Sequence, residues 1–210
     1  MQSVALIDYG SGNLRSAEKA LVRAAAGAAE IKVTCAPEEI LAADRIVLPG
    51  VGAFADCRHG LDAVPGMVAA LEETVRGKGR PFLGICVGMQ LVATRGLEFG
   101  ETKGLDWIAG DVKRIEPTDP HAKVPHMGWN SLIDPHGPPP IAGIGEAPMY
   151  FTHSFAFFPT DEADVAAWVD HGGRFPAAVA KANVAGVQFH PEKSQSAGLA
   201  LLARFLEWRP

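Results

Sequence analysis

The residues best suited to chemistry begin with Gly84-Ile85-Cys86-Val87-Gly88, a thiol set between two glycines after the apolar run Pro81 to Ile85. A G-x-nucleophile-x-G segment turns sharply from strand to helix and leaves the nucleophile strained at the tip. Side chains beside it would collide with neighbouring backbone, so glycine is required there. Cys86 would stand at a helix N-terminus, where partial positive charge favours the thiolate. The N–H of Val87 would point to where an oxyanion forms. Taken alone, the segment is equally compatible with a core cysteine, because free cysteine is often buried.

The second group is Gly186-Val187-Gln188-Phe189-His190-Pro191-Glu192. In extended chain, residues two apart share a face, so His190 and Glu192 would point the same way. That arrangement suits an imidazole base oriented by a carboxylate. Pro191 restricts the chain between them. Without the cysteine segment, a strand-end histidine and a solvated glutamate would describe these residues as well. Nucleophile, base and orienting group together favour catalysis.

The third is Leu48-Pro49-Gly50-Val51-Gly52-Ala53-Phe54. It follows an expected strand and would emerge at the same sheet edge as Cys86, where open α/β sheets place ligands. An N–H of Val51 or Gly52 could serve as a second oxyanion donor. An ordinary strand-to-helix turn is the competing description.

The elements that must hold these groups alternate in the first half. Strands are expected over Val4 to Asp8, Ile31 to Cys35, Arg45 to Leu48 (broken by Pro49-Gly50) and Pro81 to Ile85. Leu14, Ala17, Ala20, Leu21 and Ala24 recur at helical spacing up to a stop at Gly27. Further helices are expected over Pro65 to Arg76 and from Val87 to about Thr94. Such alternation implies a parallel sheet with helices on both faces. After Trp107 short β-rich pieces follow: Asp111 to Ile115, Trp129 to Ile133, Met149 to Phe151, Val165 to Val169, Ala177 to Ala182 and Val184 to Phe189. They read as hairpins and edge strands added to the same sheet. Asp134 to Pro140 reads as a surface loop. Leu199, Leu202, Phe205 and Leu206 give one face of a closing helix. The expectation is a single α/β domain over 1–210, its central sheet mostly parallel with antiparallel strands added in the C-terminal half.

Bulk properties bound the function. The chain has 210 residues, 48% of them hydrophobic and 20% charged, which suits a globular core. A formal net charge of −5, without a basic block, gives no footprint for nucleic acid. No apolar stretch approaches the roughly 20 residues of a membrane span, and Met1 to Tyr9 reads as a strand instead of an export leader. Three cysteines (Cys35, Cys57, Cys86) without a C-x-x-C pair argue against a disulfide framework or zinc site and suit a reducing cytoplasm. His121, His126 and His136 lack ligand-like spacing, so no metal is expected. Gly10-Ser11-Gly12-Asn13 is neither of the phosphate-binding glycine motifs.

Together the three groups resemble the class I glutamine amidotransferases, in which an elbow cysteine works with a distant His-Pro-Glu. Ile7-Asp8-Tyr9-Gly10-Ser11-Gly12-Asn13, Cys86-Val87-Gly88-Met89-Gln90, Val124-Pro125-His126-Met127-Gly128-Trp129-Asn130, Tyr150-Phe151-Thr152-His153-Ser154 and His190-Pro191-Glu192-Lys193-Ser194 are similar to the glutaminase subunits of imidazole glycerol phosphate synthases. The resemblance runs from residue 5 to the C-terminal helix. It implies a flavodoxin-like amidotransferase fold, glutamine as substrate and no cofactor. It also implies a heterodimer with a (β/α)₈-barrel cyclase, to which ammonia passes by a protected tunnel. There the ammonia reacts with a phosphoribulosyl-aminoimidazole carboxamide nucleotide to give imidazole glycerol phosphate and AICAR, in histidine biosynthesis.

For the site, the resemblance implies Cys86, His190 and Glu192 as the triad and Val51, Gly52 and Val87 around the oxyanion. Gly52, Gln90 and the backbone of His153 and Ser154 would contact glutamine, with a solvent-facing role as the plain alternative for Gln90. Asn13, Trp129, Tyr150 and Lys193 would face the partner, and core packing is the alternative for the two aromatics. A switch in Pro49-Gly50-Val51-Gly52 would keep the glutaminase nearly silent until the partner holds its nucleotide. Phe155 stands where the family usually has tyrosine. A peptidase or other hydrolase on the same fold, and a non-catalytic interaction subunit, are the rival readings from other classes.

Overall fold

Strands buried on both faces call for an apolar sequence without alternation, and four segments have it. The computed structural model describes residues 1–10 and 12–210; Ser11, the middle of the expected Gly10 to Asn13 turn, lies outside the described residues. The strands are β1 (Gln2–Ile7), β2 (Ala29–Thr34), β3 (Arg45–Gly50), β4 (Phe82–Cys86), β5 (Arg95–Gly96), β6 (Thr102–Lys103), β7 (Gly110–Arg114), β8 (His126–Ile133), β9 (Pro148–His153), β10 (Phe155–Pro159), β11 (Val165–Asp170), β12 (Arg174–Lys181) and β13 (Val184–Val187). β3, β4 and β13 are buried at every residue, and β1 over its last four.

The larger sheet runs β2-β1-β3-β4-β13-β12-β11-β8-β9. Its first five strands are parallel, and each pairing from β13 through β9 is antiparallel. β3, β4 and β13 are therefore side by side and point the same way. Cys86, the last residue of β4, and the segments after β3 and β13, which hold Val51 and His190, therefore meet at one edge of the sheet. That juxtaposition positions the site.

The α-helices are α1 (Leu14–Ala25), α2 (Pro37–Ala42), α3 (Phe54–Ala63), α4 (Met67–Leu71), α5 (Val87–Gln90), α6 (Pro139–Ala142) and α7 (Gln195–Glu207). α1 stops at the left-handed Ala26 and Gly27, close to the expected stop. α7 buries Leu201, Leu202, Phe205 and Leu206.

Several expectations need correction. β3 continues through Pro49 and Gly50, because Ile85 and Cys86 of β4 pair with those residues. The helix expected over Pro65 to Arg76 begins at Met67 and finishes as a π-helical turn over Glu72–Gly77. The helix expected from Val87 to Thr94 is only the four residues of α5. Leu91 and Val92 then take backbone bonds from Leu105, Trp107 and Ile108, which draws the chain aside. The dipole of one short turn is small, so the first free N–H groups matter more than any macrodipole. Nor do all the later strands join the first sheet. β7 and β10 form a second sheet, order β10-β7-β5-β6. Finally, Pro139 and Pro140 open α6 instead of continuing a loop.

Candidate active site

Cys86 has φ 55° and ψ −113°, a conformation costing a residue other than glycine about 1–3 kcal/mol. The flanking glycines explain how it is held. A Cβ on Gly84 would lie 2.5 Å from the carbonyl oxygen of Gly88, and one on Gly88 would overlap the Leu48 carbonyl oxygen. Backbone thus packs on backbone where strand becomes helix. Cys86 as a whole is only 5% exposed.

The root of the neighbouring loop is equally tight. A Cβ on Gly50 would meet Gly88 N and Tyr9 Oη, each at 2.8 Å. Tyr9 Oη donates to the Pro49 carbonyl at 2.7 Å. Beyond that root the packing opens at Gly52, which has φ 101° and open space around its Cβ position; the exposed Val51 beside it is held through its carbonyl, which accepts from Cys57 Sγ at 3.4 Å.

His190 follows β13, and its N–H donates to the Tyr150 carbonyl at 2.9 Å. The chain does not stay extended through Glu192; Pro191–Lys193 is a short 3₁₀ turn. Ser194 Oγ closes that turn by donating to the His190 carbonyl at 2.6 Å, while accepting from Tyr150 N–H at 3.0 Å. The turn still brings Glu192 Oε1 to 2.8 Å from His190 Nδ1, with both side chains buried. His190 Nε2 makes no aligned hydrogen bond among the described residues. Burial would lower the imidazole's pKa, but the adjacent Cys86 and the Glu192 carboxylate outweigh burial and push it up to about 9. At neutral pH the imidazole therefore carries both protons, and Glu192 holds the one on Nδ1.

One pocket of about 490 Å³ is lined by Cys86, Val87, His190, Val51, Gly52, Gln90, His153 and Ser154, with Asn13 and Lys193 also on its wall. Glu192 lies behind His190, away from the pocket. Trp129 and Tyr150 lie outside it, their rings edge to face at 5.9 Å between centroids, and Lys193 Nζ sits 5.5 Å over the Tyr150 ring. Trp129 is 47% exposed, so the core-packing alternative fails for it, whereas Tyr150 is half-buried.

Gln90 is buried instead of solvent-facing. Its Nε2 donates to the Phe155 carbonyl at 3.0 Å and to Gln188 Oε1 at 2.9 Å. Only its Oε1 remains to meet a ligand. At position 155 the working group is the carbonyl, so the absence of a tyrosine hydroxyl leaves these bonds intact.

Sequence reasoning gave no role to Glu98, Thr152 or Pro125, which also line the pocket, as does Phe155, noted only for its departure from tyrosine. Glu98 Oε2 accepts from Phe54 N–H at 2.9 Å, so it caps α3 from 44 residues away. A surface Glu-Phe-Gly run carries no sign of that. The pairing of His153, in the pocket wall, with the buried His126 was not foreseen. His153 Nδ1 bonds the Phe155 carbonyl at 2.9 Å, and its Nε2 lies 3.1 Å from His126 Nδ1. Because a carbonyl only accepts, His153 is protonated on Nδ1, and His126 donates to its Nε2. Burial, first of all, pushes His126 down to about 3 and His153 down to about 4, so both are neutral. Cys35 is exposed and Cys57 buried, and no group of three or more metal-ligating side chains occurs among the described residues.

A family profile for "Glutamine amidotransferase class-I" matches residues 5–208. The chain belongs to the class I glutamine amidotransferases. It is 63% identical, over the full length of both chains, to the imidazole glycerol phosphate synthase subunit HisH of Caulobacter vibrioides. The HisH subunit of Zymomonas mobilis is 56% identical, with 99% of this chain and 97% of the relative covered. Among solved structures, a glutamine amidotransferase crystal structure matches with TM-score 0.74 at 20% identity, covering 97% of each chain. The PurLQS structure from Thermotoga maritima matches with TM-score 0.68 at 20% identity, covering 98% of each, which supports the fold alone. The chain is an enzyme of this family, a glutaminase subunit of the HisH type that acts in histidine biosynthesis. No helix among the described residues is long and apolar enough to cross a membrane.

Proposed function

We propose that Cys86, His190 and Glu192 hydrolyse the side-chain amide of glutamine, with residues 1–210 acting as one amidotransferase domain. The observation that carries this reading is the buried 2.8 Å contact of His190 with Glu192, behind the pocket that Cys86 and His190 line. A protonated imidazole beside the sulfur favours its thiolate. Sγ attacks the amide carbon, and the carbonyl π electrons move to oxygen. Val87 N–H and an N–H of Val51 or Gly52 stabilise that oxyanion. His190 gives its Nε2 proton to the nitrogen, the C–N bond breaks, and ammonia leaves a glutamyl thioester. Water then attacks, His190 takes its proton, and the C–S bond breaks to release glutamate and restore the thiolate.

The pocket walls suit the rest of the substrate. Glu98 and the free Oε1 of Gln90 accept from the α-ammonium, and backbone at His153 and Ser154, with Gly52, holds the α-carboxylate. Gln90 acts through its oxygen, because its NH₂ is already spent within the protein.

Ammonia passes to a (β/α)₈-barrel cyclase subunit across a face that includes Asn13, Trp129, Tyr150 and Lys193. Passage without bulk water keeps it unprotonated and nucleophilic. The switch lies within Pro49-Gly50-Val51-Gly52, and its moving part is best sought towards Gly52, since a side chain at Gly50 would strike backbone while Gly52 has open space around it. A reducing cytoplasm suits an exposed Cys35 and a nucleophilic Cys86. The test is glutamate release by the chain alone and with the cyclase plus its nucleotide. Strong activation, abolished by Cys86→Ala, is expected; equal activity with and without the partner would remove the switch.

A further inference from the structure

Gln188 is fully buried beside the nucleophile, and the mechanism above gives it no task. The direction of its hydrogen bonds follows from an atom that can only accept. The Phe155 carbonyl requires Gln90 to present its NH₂ there. The same Nε2 lies 2.9 Å from Gln188, so the atom facing it must be the amide oxygen of Gln188. The NH₂ of Gln188 is thereby turned to Cys86 Sγ, at 3.6 Å. Reversing the Gln188 amide would set two NH₂ groups against each other and leave a carbonyl oxygen against the sulfur, with buried groups unpaired.

We propose that Gln188 is a further catalytic residue, its Nε2–H donating to Cys86 Sγ and stabilising the negative charge there. The inference rests on the reading of Cys86 as the nucleophile. While the sulfur rests as a thiolate beside the protonated His190, its lone pairs have this donor. The bond strengthens with charge, since hydrogen bonds to ionised acceptors are about twice as strong as neutral ones. When the pair becomes the S–C bond the contact weakens, and it returns as the thioester is cleaved. Gln188 itself neither gains nor loses a proton. The Phe155 carbonyl, acting through Gln90, is what aims it.

The experiment compares Gln188→Glu, which keeps an oxygen for Gln90 but removes the donor, with Gln188→Met, which removes both. Glutaminase kinetics are taken in the complex with the cyclase and its nucleotide. Alkylation of Cys86 by iodoacetamide is followed in the full chain carrying Cys35→Ser. Expected is a fall in kcat of about tenfold or more in both variants, with KM of Gln188→Glu within about twofold and alkylation slowed in parallel. Unchanged kcat and alkylation, or a rise in KM alone, would overturn the role. Should the buried variants not fold, the ¹⁵N-labelled Gln188 side-chain amide of the unsubstituted protein gives the answer. Its resonances shift when Cys86 is alkylated if the contact exists, and an unmoved resonance sinks it. Cys86→Ala separates the two claims. If it still hydrolyses glutamine, the site reading itself falls; if it is dead while the Gln188 variants behave normally, only this inference falls.

Discussion

Glu192 Oε1 lies 2.8 Å from Nδ1 of His190, and both side chains are all but removed from solvent. With Cys86, this carboxylate keeps the imidazole protonated to about pH 9. Glu192→Gln removes the charge while keeping an oxygen. Because the raised pKa is that of the group proposed to protonate the departing nitrogen, the alkaline limb of kcat/KM should move to lower pH. kcat should fall about 10²-fold, within the range usual for loss of general acid–base function. An unmoved alkaline limb would show that another group sets it.

The elbow makes a steric prediction. A Cβ on Gly88 would overlap the Leu48 carbonyl, and both partners are backbone, so neither can rotate away. Gly88→Ala should cost about 3 kcal/mol or more, at the severe end for a single methyl, and lower the thermal midpoint by several degrees. Gly52→Ser, a larger addition in open space, should be milder, limited to the strain of its positive φ. Thermal melts of the two variants compare them directly.

That contrast shows why part of the site could be read from sequence. Gly84, Cys86 and Gly88 are local, and the sterics of the turn dictate their types. His190 and Glu192 were also legible, though by a 3₁₀ turn and not the extended chain expected. α3 was not legible, because Gly60 interrupts its pattern; a Cβ there would meet the Tyr9 carbonyl at 2.8 Å, a contact made across the fold. α2 buries only Ile40, too little for a periodic signal. The partnership of β10 with β7 joins residues 41 to 49 apart in sequence, which no local pattern reveals. Gln188 reads as a polar strand end until Gln90 is brought opposite it.

Acid and alkaline stability should have separate origins. His126 and His153 have pKa values lowered on folding, so the stability they support is present above about pH 6.5 and lost as pH falls towards 4 and 3. Each adds up to about 1.4 kcal/mol of destabilisation per pH unit in that window. His190 is raised, so its contribution is full below about pH 6.5 and lost as pH rises through about 9. Denaturant titrations from pH 4 to 10 should show falling stability at both ends. His126→Gln should flatten the acid side and leave the alkaline side alone.

The exposed face of β8 predicts a separable defect. Trp129 is 47% exposed beside Met127 at 63%, away from the catalytic pocket. Trp129→Ala should weaken affinity for the cyclase subunit by about 2 kcal/mol, roughly 30-fold in Kd, as expected of an aromatic anchor. The rate of Cys86 alkylation in the free chain should not change. Titration of partner-stimulated glutamate release reads the first effect, and loss of stimulation without loss of affinity would move Trp129 from the interface to the switch.

The central claim is that Cys86 carries the glutamyl group. Rapid acid quench of the complex during turnover with glutamine, followed by digestion and mass spectrometry, tests it most directly. A glutamyl adduct on the peptide containing Cys86, labile to hydroxylamine and missing from Cys86→Ala, is the predicted result. An adduct on Cys35 or Cys57, or glutamine hydrolysis persisting in Cys86→Ala, would contradict the account.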